Sequence, residues 1–235
     1  MEQLRGDTAR LELGWREPIV VNAYVYESPP GSADEDGQDG GTVTLVDTGL
    51  RYNRRSLTAE LRAAGYERSD VDRILLTHYD LDHVGGVGQF DRPVYLGTCD
   101  VDLVRGSWDP PLDHPKGLFH RLARKWFDLN GVDLRPVTDG DRIGGFTAHH
   151  TPGHNPGHFA YVHDAGVAFV GDLLWETNGE LTPPFWGDSY DMHELRRSIR
   201  AFARSAGEFE AICPGHGIPF RDEGSERLQS LADRL

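Results

Sequence analysis

At 235 residues the chain is long for a minimal domain and short for two, and a 38% hydrophobic, 10% aromatic composition excludes a disordered polymer. Its 38 acidic against 24 basic residues give a formal charge of −14, a surface that repels phosphate backbones and excludes a broad nucleic-acid footprint. No apolar run approaches the roughly 20 residues that span a bilayer, and the opening MEQLRGDTARLELGW lacks a secretory h-region, so the expectation is a cytoplasmic single domain over 1–235 with no membrane partner.

Residues 19–27 (IVVNAYVYE) and 42–47 (TVTLVD) read as strands of a hairpin, joined across 28–42 by an acidic, Gly/Pro-rich surface loop. A helix follows near 54–64, with Ser56 or Asn53 as cap, Leu57, Leu61 and Ala64 as apolar face and Gly65 as stop. VDRILLTH is a largely apolar strand of the buried interior type and delivers His78 at its end. Residues 98–105 and roughly 114–128 read as helices, the second polar enough for the surface. FTAHHT, FAYVHD and VAFVGD are three further strands. Residues 191–205 form a helix capped by Asp191, AICPGHG is a strand running into a Gly-bounded His, and 222–234 closes as a helix. Strands alternating with helices in both halves predict two sheets packed face to face and flanked by helices.

Chemistry concentrates where the strands end, in THYDLDHVGG (77–86), TPGHNPGH (151–158), FVGDLLWE (169–176) and ICPGHGIP (212–219). His78, Asp80, Asp82 and His83 crowd four ligand-type side chains into six residues. Carboxylates so close repel in a partly buried turn, and a divalent cation turns that cost into binding energy. Histidine with aspartate suits zinc, and a larger carboxylate share tilts toward iron or manganese. The glycines beside these residues suit tight turns and close backbone approach.

The order HxxxDH, PGH, GD, PGHG resembles the metallo-β-lactamase superfamily over about residues 18–220, and Asp47 in LVDTG matches an acidic residue that family carries. The resemblance implies an α/β (α+β) fold, a four-layer αββα sandwich of two mixed sheets, with two divalent metal ions at one edge. It places His78, the residue at 80, and His154 on the first metal, Asp82, His83 and His216 on the second, and Asp172 between them. The family has HxHxDH, so Asp80 stands where a histidine is expected. A carboxylate there resembles the flavodiiron branch, which has Glu at that place, but aspartate is shorter.

The implied activity is hydrolysis of a small ester, thioester or lactone by a hydroxide held on the metal, with Asp82 orienting or deprotonating that nucleophile. A small-molecule substrate is the expected partner. The rival readings are a non-haem iron oxidoreductase of the same fold, persulfide-dioxygenase-like or flavodiiron-like, and a catalytically silent binding module. No GxSxG elbow, P-loop or GxGxxG is present.

His149 and His150 are read as structural, His158 as a turn residue or a support to the ligands, and His114, His120, His163 and His193 as surface residues. Trp175, Phe185 and Trp186 are read as pocket lining or core. Cys99 and Cys213 are expected as small buried hydrophobes without a disulfide. Only Lys116 and Lys125 are lysines, and 24 Asp stand against 14 Glu. An Asp-rich, Lys-poor surface suits a protein kept hydrated at high salt, and a GC-rich genome would equally favour Arg over Lys.

Overall fold

The computed structural model describes residues 2–5, 7–16, 19–28, 41–52, 56–125, 127 and 129–235. In chain order the first sheet takes β1 (Glu2–Arg5), β2 (Thr8–Arg16), β3 (Ile19–Glu27) and β4 (Val43–Val46). After α1 (Leu57–Ala63) come β5 (Val71–Leu75), the short α2 (Leu81–Val84), β6 (Val94–Gly97), α3 (Thr98–Arg105), α4 (Pro115–Ala123) and β7 (Leu134–Val137). These seven strands lie in sequence order, antiparallel from β1 to β4 and parallel from β4 to β7.

The second sheet takes β8 (Arg142–Ile143), β9 (Phe146–His150), β10 (Phe159–His163) and β11 (Val167–Gly171). A small hairpin of β12 (Trp175–Thr177) and β13 (Glu180–Thr182), then α5 (Met192–Ser205), lead to β14 (Ala211–Pro214) and α6 (Gly224–Arg234). Its order is β14-β11-β10-β9-β8, with β14 parallel to β11.

Hydrophobic burial fixes the layers. Between the sheets, Tyr24, Tyr26, Val46 and Leu75 pack against Phe146, Tyr161, Phe169 and Cys213. Outside the first sheet, Leu57 and Leu61 of α1 and Val101 and Leu103 of α3 cover Leu11, Leu13, Val25 and Ile74. Outside the second, Leu195, Ile199 and Phe202 of α5, with Leu228 and Leu231 of α6, cover Ala160, Val162, Ala168 and Val170. This is the αββα sandwich expected from the sequence, each fully buried Leu or Phe contributing about 1.5–3 kcal/mol.

The expected capping residues hold. Ser56 Oγ accepts from Ala59 N at 3.1 Å, and Asp191 accepts from His193 N and Glu194 N at 2.7 and 3.0 Å. The alternative cap Asn53 and most of the acidic loop, 29–40, lie outside the described residues.

Three expectations change. The sequence reading assigns no strand before residue 19, yet β2 alternates buried Leu11 and Leu13 with exposed Glu12. Arg10 obscures the pattern, because it is buried on the strand while its Nε donates to Asn22 Oδ1 at 2.8 Å. Cys213 is buried as expected, but Cys99 is exposed, and both are free thiols. His163 is buried rather than superficial, its ring 4.1 Å from that of Tyr26 and 4.7 Å from that of Phe146.

The sandwich places its chemistry at one edge. Asp47 follows β4, His78 follows β5, Asp172 follows β11 and His216 follows β14, all beyond the carboxyl ends of strands in parallel pairs. At such ends the backbone leaves the sheet and its turns are open to a ligand.

Candidate metal centre

The chain turns back sharply after β4, where Asp47 takes φ 58°, in the left-handed region. That turn points its carboxylate inward. Oδ1 accepts from Thr77 N at 2.8 Å, and Oδ2 accepts from Thr77 Oγ1 at 2.8 Å and His83 Nδ1 at 2.9 Å. Because the Thr77 hydroxyl proton goes to Asp47, Thr77 Oγ1 accepts from His78 Nδ1 at 2.9 Å. Both histidines thereby keep their proton on Nδ1 and turn Nε2 into the centre, where it is the nitrogen left to a metal.

His216 is set by the same logic from the other sheet, since its Nδ1 donates to Val20 O at 2.9 Å. Asn22 and Tyr24 of β3 hold the turn before and after it. Asn22 Nδ2 donates to Pro214 O and Gly217 O at 3.0 and 2.8 Å, and Tyr24 Oη donates to Pro214 O at 2.7 Å. Gly215 lets this turn approach, because a Cβ there would overlap Asp172 Oδ1 and lie 2.9 Å from His83 Cε1. Asp172 N donates to His158 Nε2 at 3.1 Å, and His158 Nδ1 bonds Thr151 Oγ1 at 2.8 Å, which gives His158 the supporting place expected of it.

The result is a convergence of polar atoms that lack hydrogen-bond partners. His78 Nε2, His83 Nε2 and Asp172 Oδ1 are buried without a hydrogen-bond partner, and the ligand-type atoms of these three residues lie within 4.8 Å of one another. Asp82, His83 and His216 form a second such group. Asp172 Oδ2 lies 3.3 Å from His216 Nε2, and Asp82 Oδ2 lies 3.6 Å from it.

The electrostatics ask for a cation. Burial lowers the His83 pKa, but the carboxylates of Asp47, Asp82 and Asp172 outweigh it and lift the ring to about 10. For the metal-free protein, a histidine pKa raised from 6.5 contributes stability that is fully present below pH 6.5. It is lost as pH rises through 10. Burial raises the Asp172 pKa, but the imidazoles of His216, His83 and His154 more than reverse this and hold it well below the usual carboxylate range. Burial lowers the His158 pKa, His78 and His154 push it further down, and Asp172 opposes them too weakly to keep it from falling well below its ordinary value. The ionised carboxylates hold positive charge at this place, as a proton on His83 in the metal-free protein. A divalent ion that displaces the proton takes up the freed imidazole nitrogen and the carboxylates together, so the residues fit the ion that the family resemblance implies.

Asp80 stands with the two histidines expected to share the first metal, its Oδ2 3.3 Å from His78 Nε2 and 3.1 Å from His154 Nε2, but it has further partners. Its Oδ1 accepts from His120 Nε2 at 2.7 Å and Asn155 Nδ2 at 2.9 Å, while its Oδ2 is 2.8 Å from Lys116 Nζ. Lys116 also donates to His154 Nε2 at 2.9 Å and to Asp188 O at 2.7 Å. Burial raises the Asp80 pKa, but Lys116, His78 and His120 outweigh it and hold the carboxyl well below its ordinary value.

Sequence reasoning missed this cluster. It treats 114–128 as a surface helix and His120 as a surface residue. Instead α4 is turned inside out: Lys116 and His120, one helical turn apart, are buried, while Leu118, Phe119 and Leu122 are exposed. The i, i+4 spacing was the one available signal. Asp100 was also missed. It is buried and accepts from Tyr79 N at 2.8 Å and Gly157 N at 3.1 Å, tying the two histidine-bearing turns together, and burial pushes its pKa up to about 6.

The remaining expectations divide. Trp175 packs on His216 with ring centroids 4.8 Å apart, whereas Phe185 and Trp186 are exposed and belong to no core. His114 caps α4 by accepting from Gly117 N at 3.3 Å. His149 packs edge-on against Phe202, and His150 donates to Pro156 O at 2.9 Å.

Asp47 carries a testable consequence. Asp47→Asn keeps a residue that tolerates left-handed φ but loses an acceptor for His83 Nδ1–H and Thr77 Oγ1–H. The variant should fold and bind zinc about 10–100-fold more weakly. Competitive chelator titration measures this, and unchanged affinity would detach Asp47 from the centre.

A family model described as the metallo-beta-lactamase superfamily matches residues 16–216. Similar curated proteins include the probable metallo-hydrolase YflN of Bacillus subtilis (strain 168), 26% identical over 241 residues, or 92% of this chain and 88% of that protein. Hydroxyacylglutathione hydrolase GloC of Haemophilus influenzae is 32% identical over 151 residues, covering 61% of this chain and 68% of that protein. Among solved structures, TTHA1623 in a di-iron-bound form aligns with a TM-score of 0.61 at 28% identity, covering 90% of this chain and 93% of that one.

Proposed function

Because the chain belongs to the metallo-beta-lactamase superfamily, we propose that it hydrolyses a small ester, thioester or lactone with a divalent ion, zinc in the first instance, held by Asp82, His83, Asp172 and His216. The family match and the metallo-hydrolase relatives support the general reading of a metal-dependent hydrolase. The observation that carries the site is that His83 Nε2 and Asp172 Oδ1, 3.5 Å apart, are buried without a hydrogen-bond partner, beside Asp82 and His216.

A divalent ion bound there supplies Lewis acidity and a water of lowered pKa. Everything else falls to the chain. Asp82, the most exposed carboxylate of the group with 28% of its side chain accessible, faces the approach of substrate and water and is the group placed to orient or accept a proton. Asp47 and Val20 O hold the His83 and His216 rings in the tautomers that keep Nε2 free. Exposed Phe185, Trp186 and Ile218, on the segments that carry Asp188 and His216, favour an uncharged acyl group over a highly anionic one. The net charge of −14 acts in the same direction.

A thioester substrate has the added support of the GloC relative. Iron is the second reading, favoured by the equal share of carboxylate and imidazole in the donor set and by the di-iron form of TTHA1623.

The test is turnover of an acyl-thioester, a lactone and a p-nitrophenyl ester before and after exhaustive chelation. Activity on at least one should vanish with the metal and return with zinc or iron. Turnover indifferent to chelation would refute the proposal.

A further inference from the structure

Two of the four groups of ligand-type residues at this edge, His78 with Asp80 and His154 and Asp82 with His83 and His216, have no residue in common, so the donors alone allow two ions and the cation already present on one side decides between them. His78 with His83 and Asp172, and Asp82 with His83 and His216, share His83. Its Nδ1 proton is committed to Asp47, so a single lone pair remains, and one lone pair serves one ion. His78 with Asp80 and His154, and His154 with Asp172 and Asp188, share His154 in the same way. That nitrogen is already engaged by a cation.

Lys116 Nζ is 7% exposed as a residue and makes contacts of 2.8, 2.9 and 2.7 Å to Asp80 Oδ2, His154 Nε2 and Asp188 O. An ammonium has three N–H donors, and three acceptors surround this one. Its position is built rather than incidental. Asp80 Oδ1 is closed from behind by His120 and Asn155, and His120 Nδ1 is in turn bonded to Tyr190 Oη at 2.9 Å. Within α4, Lys116 and His120 grip the two oxygens of one carboxylate. The acidic Asp188 side chain lies 3.8 Å from the same ammonium.

We infer that the Lys116 ammonium stands in for one of the two metal ions, so that the centre takes a single divalent ion on the side of Asp82, His83, Asp172 and His216. The inference rests on the metal-dependent reading above. The substitution at position 80 then has a physical reason. A histidine at 80 offers a metal a lone pair but offers an ammonium no charge, whereas aspartate pairs with lysine by a charge-assisted bond. The exchange of His for Asp and the inward-facing lysine are two parts of one arrangement. It keeps a positive charge beside His154 and Asp188 at every metal concentration, with no second ion to lose.

Metal counting tests the inference. The wild-type protein, stripped and reconstituted with excess zinc, then desalted, should hold about one equivalent, and Lys116→Ala about two. Anomalous diffraction from wild-type crystals grown with zinc should show one peak, beside His83. That measurement stands even if Lys116→Ala does not fold.

Two equivalents in the wild type, or a second anomalous peak among His78, Asp80 and His154, would overturn the inference and leave the metal-dependent function intact. A folded Lys116→Ala protein that still binds one ion would also overturn it. No zinc or iron in the wild type would overturn both readings.

Discussion

Asp172→Ala should lose its metal and about a thousandfold or more of its turnover, equivalent to ~4 kcal/mol of transition-state stabilisation, while keeping its fold. Asp172 reaches His83 with one oxygen and His216 with the other, at 3.5 and 3.3 Å, and its Oδ1 is buried without a hydrogen-bond partner. Removing it takes away a charged donor and leaves the imidazoles to hold the ion by themselves. The fold survives because the backbone N of residue 172 still donates to His158, and the loss relieves the carboxylate crowding that lifts the His83 pKa. Elemental analysis and turnover of the same preparation check this. A variant that retains a full metal complement would remove Asp172 from the donor set.

Asp80→Ala should do the opposite. It leaves the Lys116 ammonium buried without its carboxylate and strips His120 and Asn155 of their acceptor. Breaking a buried ion pair by deleting one partner costs about 3–5 kcal/mol, because an uncompensated charge remains in the interior. For a chain of this size that corresponds to a fall in Tm of about 6–20 °C. Zinc content should stay at the wild-type level. Calorimetry beside metal analysis separates the outcomes: a Tm near that of the wild type, or loss of the metal, would make Asp80 a ligand after all. The two variants together distinguish a residue that holds the ion from one that holds the fold around it.

The layers and the motif-bearing turns were legible in the sequence for one reason. Strands such as VAFVG and VDRIL are apolar enough to declare themselves, and the His- and Asp-bearing turns follow them directly. What stayed hidden was settled by contacts distant in sequence. Arg10 conceals the alternation of β2 because its partner, Asn22, lies on the next strand. Lys116 and His120 look like surface residues of a polar helix until Asp80, 36 and 40 residues earlier, is folded against them. Asp100 gives no sign of its role because both of its partners are backbone amides, which carry no side-chain identity to read. Spacing within a motif reports which residues stand together along the chain, and it does not report which cation they meet.

The inverted α4 also decides how the protein answers to amine chemistry. Its two lysines lie within one short stretch, and the fold gives them opposite fates, since Lys125 is exposed while Lys116 is sealed between Asp80, His154 and Asp188. An acylating reagent therefore meets one accessible lysine side chain in the native protein, at a known position near the end of α4. A fluorophore or cross-linker placed there reports on the helix that closes the metal centre. Reaction at the other lysine signals that this helix has come away.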